Sequence, residues 1–377
     1  MFNDCFNIVK SKKVAVAVSG GIDSLSLVLL ANEWSVTFGT KIIGITVDHG
    51  LRQTSKDEAI YVGEILKKYN IEHHILTWEG EKPTTNVENL AREARYSLIF
   101  DFCKKNNIDT LLIGHHIQDQ AENFLIRLFR GSSITGLSSM KLISERDGIK
   151  IIRPFLNIKK EELKQYLLDK KIKWIEDESN YDDKYLRNKI RIFLNTFNDR
   201  DLIVKRINSA ISTFQMADEA INEKINELEG KVYNYNKEYK YYTINFKNFV
   251  KLERDIKIKI LLKISKIIGE NNENIRFIKL ERLLNGLANL SKYTFNNCIF
   301  EKVNSDYFVC YKEYNSIKDK TNYLKKGYLN NYLKYLKDMD YQKYKKIKDF
   351  RGFKREILYT IPVEDDYIYF IKNTNNS

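Results

Sequence analysis

Val14–Trp34 reads VAVAVSGGIDSLSLVLLANEW. An apolar run, Val14–Val18, stops at Ser19-Gly20-Gly21-Ile22-Asp23-Ser24, and a second apolar stretch follows at once. Strand, glycine turn, helix N-terminus is the layout of a phosphate cradle. Gly20 and Gly21 let backbone N–H groups approach a ligand without interference from a Cβ. The start of the helix adds free N–H groups and the positive end of its dipole, and Ser19 and Ser24 add hydroxyls. Neither Gly-Lys-Ser/Thr nor G-x-G-x-x-G is present at the spacing those nucleotide loops require. Asp23 stands where the helix begins. A carboxylate beside a triphosphate calls for a cation between them, so Asp23 predicts bound Mg2+. The alternative reading is that Asp23 only caps its helix.

Outward from this stretch, the first 120 residues alternate strand and helix. Lys41–Val47, His74–Trp78 and Thr110–Gly114 read as further strands. Ser55-Lys56-Asp57-Glu58 reads as a capping box opening a helix to about Tyr69. Asn86 is the expected cap of a longer helix with Val87, Leu90, Ala91, Ala94, Leu98 and Phe102 on its apolar face. Repeated βα units with buried strands predict an α/β fold, a doubly wound parallel sheet with right-handed crossovers. Ligands in such sheets bind beyond the carboxyl ends of the strands, where the polar clusters of this sequence fall. The sheet domain is expected to finish around Ile151–Phe155. A helix follows over 157–171, then a polar loop leading into another helix.

From about Phe193 to Asn289 the pattern reads as helical, and YTFNNCIF (293–300) and DYFVCYKE (306–313) read as two short strands. The tail from Tyr314 is irregular until a hairpin expected at 357–371, with Glu364-Asp365-Asp366 at its turn. The expected domains are therefore 1–192, 193–313 (mainly helical, ending in a hairpin) and 314–377 (small, α+β).

The 377 residues are 43% hydrophobic and 30% charged, a globular composition. No apolar run approaches the ~20 residues of a membrane-spanning helix. The lysines before Val14 precede a run too short for a signal peptide, so a cytoplasmic location is expected. Cys5, Cys103, Cys298 and Cys310 form no C-x-x-C pair, which argues against a zinc site or a dithiol centre. Net charge is +13, but residues 1–150 hold 18 basic and 18 acidic side chains while 251–350 hold 22 and 12. That asymmetry fits a polyanionic partner met by the downstream part of the chain, or equally a codon bias that makes the chain rich in Lys, Asn, Ile and Tyr throughout.

Beyond the glycine loop, VDHGLR (Val47–Arg52), AREARY (Ala91–Tyr96), GHHIQDQAEN (Gly114–Asn123), RGSSITGLSSM (Arg130–Met140), RPF (Arg153–Phe155) and EDESNYDDKYLRNKIR (Glu176–Arg191) follow in that order. Asp48 and His49 come directly after the second strand, at the mouth of the cleft. For His49 a nucleotide contact and a satisfied loop histidine both stay open. Arg92 and Arg95 share a helix face and suit phosphate or carboxylate, or form a solvated pair. Asp119 and Glu122, three apart on a helix, can bind an ammonium group, or simply decorate a helix N-terminus with acid.

The Ser19–Ser24 string resembles the signature of the PP-loop ATP pyrophosphatases, and the ordered set of motifs is similar to the tRNA(Ile)-lysidine synthetases. The likeness is strong over 14–191, general over the helical middle and thin after Tyr314. It implies ATP cleaved to AMP and diphosphate, with the C2 carbonyl of the wobble cytidine of a CAU-anticodon tRNA(Ile) adenylated and AMP then displaced by the amine of free L-lysine. It implies ATP and Mg2+ as cofactors and makes a homodimer plausible. By the same resemblance Ser19, Gly20, Gly21, Ile22, Asp23, Ser24, Asp48 and His49 bind ATP, with Asp23 on the Mg2+. Arg95, Asp119 and Glu122 bind lysine, while Arg187, Asn188 and Arg191 meet the tRNA. Asp23, Asp119 and Glu122 carry the chemistry, any of the three serving as base for the amine.

The chain departs from the family pattern at Gln118, where an aspartate is usual, at Ser133 and Ser139, where glycine is, and at Asn123 in place of threonine. A tRNA thiolase of the same superfamily is the nearest rival, but it typically needs a sulfur-carrying cysteine or cluster ligands. An amidotransferase would not need the basic downstream region. A non-catalytic RNA-binding relative would not need the intact loop.

Overall fold

The computed structural model describes residues 5–50, 54–79, 87–176, 186–237, 240–270 and 275–317. The chain divides into two compact units, Met1–Met216 and Ala217–Ser377. The first begins β1 (Lys13–Ala17), α1 (Ile22–Phe38), β2 (Lys41–Asp48), α2 (Ser55–Lys68), β3 (Glu72–Thr77), α3 (Val87–Lys105), β4 (Thr110–Leu112) and α4 (Ile117–Phe129). A short α5 (Ile134–Leu137), β5 (Ile143–Arg146), β6 (Ile149–Ile152), α6 (Lys160–Asp169) and α7 (Leu186–Asn195) follow, and α8 (Arg200–Leu228) carries the chain across the division.

The sheet order is β3-β2-β1-β4-β6-β5. Five strands run parallel and β5 is an antiparallel edge. Val14, Val16 and Val18 pack with α1, α2 and α6 in one core cluster. Ala15, Ile43 and Ile45 pack on the opposite face with Tyr96, Ile99, Phe100 and Cys103 of α3. Both faces are covered, which is why the strands read as continuous apolar runs rather than alternating ones. The strand order reverses between β1 and β4, so the crevice beyond their carboxyl ends is the topological switch point.

Three local expectations need correction. Ser55 does not cap α2, because its hydroxyl donates to Asp48 Oδ1 at 2.6 Å. The buried side of α3 is Ala91, Tyr96, Ile99, Phe100 and Cys103, with Leu90 43% exposed, so the apolar face is rotated from the one expected. The β5–β6 hairpin was not expected: Asp147 and Gly148 both have positive φ (54° and 79°), the conformation a two-residue hairpin turn demands. Asn86, residues 177–185 and the hairpin at 357–371 lie outside the described residues.

In the second unit the strands β7 (Tyr233–Asn236) and β8 (Tyr241–Asn245) interrupt what read as continuous helix. After α9 (Phe246–Phe249), α10 (Arg254–Gly269) and α11 (Phe277–Asn289) come β9 (Lys292–Phe295), β10 (Cys298–Lys302) and β11 (Tyr307–Lys312). They form an antiparallel sheet ordered β7-β8-β11-β10-β9. YTFNNCIF is therefore a hairpin rather than one strand, turning on Asn296 and Asn297, both at positive φ. Ile260, Leu261 and Ile264 of α10 pack on Tyr233, Tyr242, Ile244, Phe300 and Phe308 of the sheet. A buried ion pair lies in this unit. Lys259 Nζ donates to Asp218 Oδ1 at 2.5 Å and to its carbonyl at 3.0 Å, and Asn222 Nδ2 donates to Asp218 Oδ2 at 3.3 Å. Among the described residues no helix is long and apolar enough to cross a membrane.

Candidate active site

The glycine turn lies between β1 and α1. Gly20 sits at φ 86°, a conformation that strains any L side chain, and a Cβ there would also meet the tip of Ile175 at 2.4 Å. The Gly20 carbonyl accepts from Ile175 N–H at 2.9 Å. The hydroxyl of Ser24 is used within the loop: it accepts from Ser19 N–H at 3.1 Å and donates to the Gly21 carbonyl at 3.2 Å. Ser24 thus shapes the turn, while Ser19 stays exposed at its mouth. No side-chain capping bond closes α1 at Gly21, so its first N–H groups face the crevice, where an anion can take them.

Asp23 is not a cap. Its Oδ1 is buried without a hydrogen-bond partner and lies 3.7 Å from His116 Nε2. Burial raises its pKa above the usual aspartate value, opposed by His116 and Lys160. A buried carboxylate oxygen left without a partner is costly unless something charged completes it. Among the described residues no group of three or more histidine, cysteine or acidic side chains could hold a metal. The single orphaned carboxylate oxygen suits a hard cation that takes one protein carboxylate and finds its remaining oxygens on phosphate and water.

The second wall of the crevice comes from the end of β4. Gly114 packs so tightly on α1 that a Cβ would stand 2.8 Å from the Asp23 carbonyl. His116 is the N-cap of α4: its Nδ1 accepts from Asp119 N–H at 3.3 Å, and its own N–H donates to Asp119 Oδ2 at 3.0 Å. With Nδ1 accepting, a neutral ring carries its proton on Nε2, the atom between Asp23 and Asp119. Burial favours protonation of Asp119, yet His116, His115 and Arg187 outweigh it and hold the carboxyl at about 2. Glu122 moves the other way, raised by burial and by Asp119 against the pull of Arg191. His115 is pushed down to about 3 by burial, with Arg153, Arg92 and Arg187 adding to the shift, and its buried Nδ1 has no hydrogen-bond partner.

Arg187 and Arg191, expected at the RNA, reach the same carboxylates from α7. Arg191 Nε donates to Glu122 Oε1 at 2.7 Å and Arg191 Nη2 lies 3.9 Å from Asp119 Oδ1. Arg187 Nε lies 3.5 Å from Glu122 Oε2. Asn188, between them, is buried. Asp23, Asp119, Glu122, Arg187 and Arg191 thus converge. Arg95 does not join them: no hydrogen bond or ion pair links it to either acid, and it stands half-buried beside Arg92. Asp48 holds its own loop, accepting from Gly50 N–H and Ser55 Oγ, and His49 packs edge-on to Trp78 at 6.3 Å.

Gly114, His115 and His116 fall within GHHIQDQAEN, and none of the three is among the expected site residues. The signal for His116 was present, as a polar residue three before an acid at a helix start. Lys160 carried no such signal.

The departures from the family pattern have partners. Gln118 Nε2 donates to Glu161 at 2.8 Å and Gln118 Oε1 accepts from Lys160 N–H at 3.2 Å. Asn123 Nδ2 donates to Ser139 Oγ at 2.8 Å, so two of the departures bond each other. Ser139 takes φ 55°, the region where glycine is the easier residue. Ser133 is the N-cap of α5 at an ordinary φ of −70°. Of the four cysteines three are buried, and burial pushes the Cys103 thiol up to about 12, the opposite of what a sulfur carrier needs.

A family model described as a PP-loop domain matches residues 1–196. The tRNA(Ile)-lysidine synthase of Orientia tsutsugamushi (strain Boryong) is 36% identical over 318 residues, covering 81% of this chain and 70% of that protein. Its counterpart from Wolbachia pipientis wMel is 36% identical over 299 residues, covering 78% and 69%. A solved structure, the U34-tRNA thiolase NcsA from Methanococcus maripaludis with its [4Fe-4S] cluster, is 19% identical with a TM-score of 0.48, over 56% of this chain and 77% of that one. That likeness is too slight to carry an argument.

Proposed function

The chain belongs to the tRNA(Ile)-lysidine synthase family, ligases built on a PP-loop ATP-utilising domain, and from that premise we propose how its residues perform lysidine formation. ATP seats its phosphates on the Gly20–Gly21 turn and the free N–H groups of α1. The C2 carbonyl oxygen of the wobble cytidine of a CAU-anticodon tRNA(Ile) attacks the α-phosphorus. A bond from O2 to phosphorus forms, the α–β bridge breaks, and diphosphate leaves. The amine of free L-lysine then attacks C2, the C2–O2 bond breaks, and AMP departs with that oxygen while the amine loses a proton. Asp23 would hold Mg2+, which supplies charge neutralisation on the triphosphate.

The observation that carries this reading is the meeting of Asp23, His116 and Asp119 at the carboxyl ends of β1 and β4. It sets an ionised acid and a ring proton beside the amides of an uncapped helix. Asp119 stays ionised and suits the ammonium end of lysine. Glu122, with its raised pKa, is the better acceptor for the proton that the amine must lose before it attacks. Arg95 is offered to the lysine carboxylate. Arg187, Asn188 and Arg191 are offered to the RNA, and any phosphate they take competes with Glu122 for the arginines. The rest of the division of labour is proposed as catalysis in 1–192 and tRNA contact in 193–313 and 314–377.

The test is incubation with ATP, labelled lysine and a CAU tRNA(Ile) transcript, followed by nucleoside mass analysis. Lysidine in a lysine-dependent reaction supports the proposal. Incorporation of supplied sulfide instead of lysine would replace it with the thiolase reading.

A further inference from the structure

Asp23 lies in the first turn of α1, and the starts of two further helices are tied to that end. α4 abuts it through Gly114 and His116. α6 is tied to α4 twice, by Ile117 N–H to the Ile158 carbonyl at 3.0 Å and by the Gln118 amide to Lys160 N–H and Glu161. It also packs on α1, where Ser26 Oγ donates to the Leu163 carbonyl at 3.1 Å. The first residue of α6 is Lys160.

The two lysines at this helix start differ. Lys159 is committed to Asp201 by an ion pair. Lys160 is half-buried, and its ammonium has no hydrogen bond or ion pair among the described residues, yet its charge is felt at Asp23. The loop itself contains no lysine or arginine. Arg187 and Arg191 are occupied by Glu122. Among the described residues Lys160 is therefore an uncommitted cation at the end of α6 that is tied to α1 and α4, and Gln118 fixes where that side chain starts.

We propose that Lys160 is a further nucleotide-binding residue, its ammonium pairing with the polyphosphate of ATP on the side that leaves as diphosphate. In Walker-type loops a lysine follows the glycines in sequence; here α6 brings one in from 140 residues away. The assignment rests on the ATP reading above.

The test is equilibrium binding of ATP and of adenosine, both with Mg2+, to the full chain without tRNA. Lys160→Met is expected to weaken ATP about tenfold or more, the size of a lost charge-assisted hydrogen bond, and to leave adenosine within about twofold. Lys160→Arg should restore most of the ATP affinity. Equal loss of ATP and adenosine would make Lys160 a structural residue and overturn the proposal, as would unchanged ATP binding in the methionine variant. A wild-type chain that binds ATP tightly but forms no lysidine would sink the function and leave Lys160 standing. A wild type that binds no ATP would sink both.

Discussion

Two buried charge clusters of this chain look alike in composition and differ in completeness. In the second unit Lys259 and Asp218 satisfy each other, and Asn222 and a carbonyl take up further bonds. In the first unit Asp23, Asp119 and Glu122 face Arg187, Arg191 and His116, yet Asp23 Oδ1, Glu122 Oε2 and His115 Nδ1 are buried without hydrogen-bond partners. Closed pairs hold a fold, and breaking one leaves a stranded charge. Clusters with open valences are where a fold tolerates cost for the sake of a ligand.

The sharpest way to break that comparison is to neutralise one member of each cluster. Asp23→Ala is expected to abolish diphosphate release, about 10³-fold or more, while tRNA affinity survives in a filter-binding assay. Normal turnover would remove Asp23 from the chemistry. Lys259→Met should act on the fold instead, costing about 3–5 kcal/mol in denaturant titration by stranding Asp218, with activity per folded molecule retained.

The pH dependence of stability tests the open cluster as well. The folded pKa of Asp23 is raised, so its contribution is present below the unfolded value of about 3.9 and is lost as pH rises through the folded pKa. Asp23→Asn should therefore melt higher than wild type at pH 7, with the gap closing as pH falls toward 4. A gap that does not depend on pH would show that Asp23 is not held at a cost.

Within the site, Glu122→Gln should raise KM for lysine by about tenfold while moving KM for ATP less than about twofold. Equal effects on both would place Glu122 outside the lysine site. The smallest effect concerns Gln118. Restoring the family's aspartate there sets a carboxylate against Glu161 and should cost about 1 kcal/mol of stability, recovered by the additional Glu161→Gln change in a double-mutant cycle. Additive effects would show that Gln118 and Glu161 do not act as a pair.

Much of the first unit was legible because its signals are local. Val14–Val18, the glycine turn and the repeated βα spacing place the strands and the crevice without tertiary information. What escaped was set by packing. The DG turn at Asp147-Gly148 and the NN turn at Asn296-Asn297 are hairpin signals, but the first has no expected element around it and the second lies inside what reads as a single short strand, 293–300. β7 and β8 are four and five residues long and rich in tyrosine and asparagine, so periodicity could not separate them from helix. At the site, Asp119 and Glu122 were legible by spacing. Their pairing with Arg187 and Arg191 was not, since nearly seventy residues separate them. Lys160 could not be found by motif, because its place is fixed by a glutamine that departs from the expected pattern.

The oxygen balance offers the most direct measurement. A CAU tRNA(Ile) transcript carrying ¹⁸O at C2 of the wobble cytidine is incubated with the chain, ATP and lysine, and the AMP is weighed by mass spectrometry. Attack by that oxygen on the α-phosphorus, in the crevice closed by Asp23, predicts one ¹⁸O in AMP for every lysidine formed. Unlabelled AMP, with the isotope instead supplied from the carboxylate of labelled lysine, would mean that the amino acid and not the base is activated, and would contradict the account.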